Sequence, residues 1–221
     1  MADTFNASII RGTYALTLTG QGGWVPLAGI GVLRFDGADH VSGSWRESRP
    51  GARYGERLLA DVDYAAAYSV TASGTGTLTL PGTEEPDAYL AIRNLETGND
   101  DPRAGELAFV FRSLDTATGA LRTATATRLP DGATFSAASL RGRYNGFALG
   151  RGGQYPMAGF GAVTYDGRGG FSEENVANVQ GESIGDRRFV TGTDRGPYAV
   201  NPDGTGTVAD GDVYVLAHAS A

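Results

Sequence analysis

The chain has 221 residues, with 41% hydrophobic and 19% charged side chains, enough for one large domain or two small ones with a real core. Its 34 glycines argue for many turns and against long helices, and a formal net charge of -7 without a basic run excludes wholesale binding of phosphate backbones. With no cysteine, a disulfide framework and a thiolate metal site are both excluded.

Met1 to Phe5 carry neither the positive region nor the apolar stretch of a signal peptide, and no later stretch approaches the roughly 20 apolar residues of a membrane helix. The expectation is a cytoplasmic protein without membrane or nucleic-acid partners. Tyr14, Leu16 and Leu18 alternate with Thr13, Ala15, Thr17 and Thr19, as in a half-buried strand. The next strand has Gly29 and Gly31 on one face, where a sheet bends or a backbone comes close, and Asp36-Gly37 then marks a tight hairpin.

Glu56 to Ala67 is ambiguous, because Leu58, Leu59, Val62, Ala65 and Ala66 fall near helical spacing. An internal repeat resolves it. Phe5 to Gly37 aligns without a gap with Phe135 to Gly167 at an offset of 130, matching Arg11 with Arg141, Tyr14 with Tyr144, Pro26 with Pro156 and Asp36 with Asp166. Tyr68 to Thr77 meets Tyr198 to Thr207 at the same offset, and Asp87 to Ile92 meets Asp212 to Ala217 after a short deletion. The counterpart of the ambiguous segment, Asp186 to Pro197, contains Gly192 and Gly196-Pro197, which would break a helix, so both are assigned as strands.

Each copy is expected to hold six or seven short strands, in an internally duplicated, all-β, antiparallel β-barrel rather than βαβ units. The first repeat spans 1–130 and the second 131–221, the latter lacking partners for Gly105 to Arg112 and Ala120 to Leu129, the last two strands of the first. An unfinished barrel exposes unpaired strand edges, through which the chain is open to homo-oligomerisation.

Residues common to both copies are turn and packing types, so chemistry is sought where the copies differ. Trp24, Trp45, His40 and Glu47 occur in the first alone, and Glu173 and Glu174 in the second alone. The two glutamates adjoin on one strand and point to opposite faces. His40 follows a turn and His218 lies near the end of the sequence, so neither suggests a metal site, and Asn201 to Gly204 and Asp100-Asp101 read as ordinary turns rather than calcium loops. Nucleophile elbows, phosphate loops and dinucleotide fingerprints are absent, so no cofactor is expected. The remaining signal is aromatic: Tyr14, Trp24, Trp45, Tyr64 and Tyr68 are the candidate ligand-binding residues of a hydrophobic cavity, with Tyr68 or Trp45 as a polar donor.

The repeated pattern G-x-Y, G-x-G-G, P-x-A-G-x-G, F/Y-D-G and D/S-G-T-G-T resembles that of uncharacterised bacterial duplicated β-barrel proteins, and is more distantly similar to lipocalin-like and allene-oxide-cyclase-like barrels. That resemblance implies binding of an apolar small molecule and, on the cyclase side, cofactor-free cyclisation or isomerisation in natural-product biosynthesis. The alternatives are a non-catalytic carrier or sensor of a hydrophobic ligand and a structural assembly module.

Overall fold

The structure, a computed structural model, describes residues 5–21, 27–50, 57–96, 102–112, 121–150, 157–180, 185–208 and 212–215. These fall into two compact units, one within Met1–Ala133 and the other within Thr134–Tyr214. Both are all-β. Among the described residues no helix is long and apolar enough to cross a membrane.

The first unit is a closed antiparallel barrel of eight strands in chain order: β1 (Arg11–Gln21), β2 (Leu27–Asp36), β3 (His40–Pro50), β4 (Arg57–Val70), β5 (Thr75–Thr79), β6 (Ala88–Glu96), β7 (Arg103–Phe111) and β8 (Leu121–Arg128). Pairing of β8 with β1, from Tyr14 opposite Arg128 to Gln21 opposite Leu121, closes the ring and removes its edges. The segment with helical spacing is the fourteen-residue strand β4. Its alternation of buried Tyr64, Ala66 and Tyr68 with exposed Asp63, Ala65 and Ala67 outweighs the leucine spacing, because only the strand period buries the tyrosines.

Inward side chains fill the interior, and the register explains how the largest fit. Leu16 faces Gly31, which faces Trp45, and Leu18 faces Gly29, which faces Glu47. A Cβ on Gly31 would come within 2.1 Å of the Ser44 carbonyl oxygen and 2.4 Å of Trp45 Cα, so the glycine permits β3 to close against β2. The bending predicted at these glycines thus serves the placement of Trp45 and Glu47.

One end of the barrel is stoppered by the chain entering β1. Asn6 caps a 3-10 turn, Ala7–Ile9, by accepting from the Ser8 N–H, and Ile10 behind it is fully buried. The Tyr68 hydroxyl donates to the carbonyls of Ala7 (3.1 Å) and Ile10 (3.0 Å) and ties the turn down, while the Tyr14 hydroxyl donates to the Ala104 carbonyl at 2.8 Å. Gly74, at φ +81°, leaves room for the Phe5 ring. Arg128 bridges Glu96 and Asp131 at 2.8 and 2.6 Å, and Arg103 also pairs with Asp131. Partial burial would raise the Asp131 carboxyl, but hydrogen bonds from the two arginines hold it below the usual carboxylate range. Tyr68→Phe is expected to lower stability by about 1.5 kcal/mol in urea titrations, because the buried Ile10 carbonyl loses this donor and the Ala7 carbonyl keeps only the Ile10 N–H.

The second unit is an open six-stranded sheet: β9 (Arg141–Gly150), β10 (Met157–Asp166), β11 (Gly170–Gln180), β12 (Arg187–Val200), β13 (Thr205–Val208) and β14 (Asp212–Val215), in the order β14-β13-β12-β11-β10-β9. Its local contacts follow the first unit at the predicted offset. The Tyr198 hydroxyl donates to Ala137 and Leu140 carbonyls at 2.8 and 2.9 Å, and Gly204, at φ +87°, accommodates Phe135. Among the described residues no strand takes the places of β7 and β8. The cost shows at Tyr144, which is 43% exposed where its counterpart Tyr14 is fully buried.

Candidate ligand site in the first barrel

Opposite the stoppered end, strand register gathers side chains from four elements. Arg122 lies at the start of β8, opposite Phe111 near the end of β7, and Phe111 lies opposite Ala88 at the start of β6. Trp45 and Glu47 arrive from β3 and Tyr64 from β4. Because β5 stops at Thr79 while β4 runs on to Arg57, the chain from Leu80 to Asp87 occupies the place a longer β5 would take. Asp87 is anchored there through its backbone, its N–H donating to the Leu78 carbonyl and its carbonyl accepting from the Arg112 N–H.

Three aromatic rings form the wall. Trp45 and Tyr64 lie 5.3 Å apart at 45°, and Tyr64 meets Phe111 edge-on at 6.4 Å. Two carboxyl groups are buried against it. Glu47, 2% exposed, accepts from the Trp45 indole N–H at 3.2 Å and forms an ion pair with Arg122 at 3.9 Å. Asp87, 1% exposed, accepts from the Tyr64 hydroxyl at 3.1 Å through Oδ2. Asp87 Oδ1 and Arg122 Nε are buried without a hydrogen-bond partner.

Burial raises the Asp87 carboxyl above the usual range, against the opposing pull of the Tyr64 hydrogen bond and the charges of Arg112 and Arg122. Burial also pushes the Tyr64 phenol well up, helped by the Asp87 charge, so Tyr64 is a donor at any physiological pH. A carboxyl whose pKa is higher folded than unfolded binds more protons in the folded state between the two values, so stability falls as pH rises through that window. Asp87→Asn is expected to abolish this loss: melting temperatures of the variant stay level across the window, and above it exceed those of the parent.

Of the residues singled out from the sequence, Trp45, Tyr64 and Glu47 come together here. Tyr14 and Tyr68 are buried in the same barrel, but their hydroxyls are engaged by backbone carbonyls, those of Tyr68 at the stoppered end. Burial raises Tyr68 to about 12. Trp24 and His218 lie outside the described residues. Asp87 and Arg122 were not singled out. His40 is exposed beside Asp39 and Asp36, and these three come close enough to share an ion, but one oxygen of Asp36 already accepts the N–H groups of Ala38, Asp39 and His40. Glu173 and Glu174 stay apart, one accepting from Asn175 and the other 3.6 Å from Arg143. A groove of about 570 Å³ on the outer face of β2 to β5, bordered by Arg34, Ala65, Ala67 and Pro81, contains none of the buried polar groups of the interior.

Compared with known proteins, the chain matches no protein-family model and no curated sequence.

Proposed function

We propose that the first barrel binds an apolar small molecule at the end framed by Trp45, Tyr64 and Phe111. The observation that carries this reading is the aromatic wall itself, continued toward solvent by Leu58, which shares the inward face of β4 with Tyr64 and is 43% exposed. Buried carboxyls beside an aromatic wall add a means of turnover. A proton supplied by Asp87, with the ligand held in a reactive shape, suits a cofactor-free isomerase or cyclase. Native mass spectrometry of the protein from its source, followed by denaturing extraction, tests the proposal. A defined apolar adduct supports it, and an empty mass under gentle conditions counts against it. Conversion of the recovered compound on incubation separates catalysis from carriage.

The open sheet of the second unit favours a further role as an assembly module, in which the edges of β9 and β14 pair with another chain. Light scattering that gives a monomer at every concentration would remove it.

A further inference from the structure

Asp87 and Arg122 are the two described residues at the candidate site whose buried polar atoms are left over after the protein has satisfied the rest. Such atoms are costly in a folded interior unless something meets them. Tyr64 donates to Oδ2 of Asp87, so when the carboxyl is protonated its hydrogen resides on Oδ1, the oxygen without a partner. Arg122 Nε is likewise a donor. Both vacancies therefore ask for an acceptor.

We infer that Asp87 Oδ1 and Arg122 Nε form the head-group end of the site, holding a neutral ligand by a carbonyl oxygen, that of a ketone, ester or lactone, on an apolar body. This rests on the reading that the barrel end takes an apolar molecule. Charge excludes the alternatives. Glu47 already occupies Arg122 as its ion-pair partner, so a carboxylate head would lie beside Glu47 without a counter-charge of its own. An amine would meet the Arg122 guanidinium and the donor face of Asp87. The groups that face Asp87 are Tyr64 from β4, Arg112 beyond β7 and Arg122 from β8, and Arg112 is paired with Glu85. Burial outweighs them all and keeps the acid in its donor form above the ordinary carboxylate range.

Isothermal titration of the full chain with methyl nonyl ketone, undecane, undecanoic acid and undecylamine tests the inference. The ketone is expected to bind about tenfold more tightly than the alkane, the worth of one well-made hydrogen bond to a buried group. That preference weakens as pH rises through the Asp87 value, down to the share that Arg122 Nε supplies. Asp87→Asn, whose amide N–H replaces the acid O–H, is expected to keep the preference at every pH, and Asp87→Leu to reduce it, with no pH dependence left, while alkane affinity stays. Equal affinity for ketone and alkane, tightest binding of the acid or the amine, or an unchanged pH dependence in Asp87→Asn overturns the inference and leaves the apolar site standing. If none of the four probes binds, the apolar site falls with it.

Discussion

Arg122→Met is expected to destabilise the first barrel by about 3 to 5 kcal/mol, the effect of removing one partner from a buried ion pair. Glu47 is 2% exposed, and without Arg122 its side chain retains only the Trp45 indole N–H. The size of the loss comes from the carboxylate left behind rather than from the worth of a contact at 3.9 Å. Pairing the change with Glu47→Gln therefore recovers most of it, since a neutral amide still accepts from Trp45. Urea titrations followed by tryptophan fluorescence measure both variants. A double variant as unstable as the single one would show that the arginine acts through packing instead.

Gly31→Val is the second large effect, a loss of about 3 kcal/mol. No rotamer relieves it, because the obstacle to the new Cβ is the backbone of β3: the Ser44 carbonyl at 2.1 Å and Trp45 Cα at 2.4 Å. β2 and β3 must separate, and the separation shifts Trp45 and Glu47 together. Gly146→Ala supplies the contrast. Nothing lies within 4 Å of a Cβ there, so its stability is expected to stay within about 0.5 kcal/mol of the parent. If both substitutions were equally mild, the close approach of β3 would not be a determinant of the barrel.

These glycines show what the amino-acid sequence reveals and what it hides. Alternation at Tyr14, Leu16 and Leu18, the Asp-Gly turns and the helix-breaking residues in the repeat counterpart of β4 were sufficient to read antiparallel strands and a barrel. Trp45 and Tyr64 were legible as inward aromatics. Glu47 was legible as a residue present in the first copy alone, two residues beyond Trp45 on the same strand face. Asp87 and Arg122 were not. The position of Asp87 depends on β5 ending nine residues before β6 begins, and that of Arg122 on β8 closing against β1, neither of which has a local pattern. The count of strands was low for the same reason, since eight rather than six or seven are needed to complete the ring.

The seam between β1 and β8 also bears on how the protein comes into being. Thr19 meets Thr123 across it, 104 residues along the chain. During synthesis the first strand therefore emerges long before its second neighbour exists, and must wait with one edge bare until β8 has left the ribosome. Slow translation between β1 and β8 lengthens that exposure, and a chaperone that shields strand edges would act most usefully in this interval.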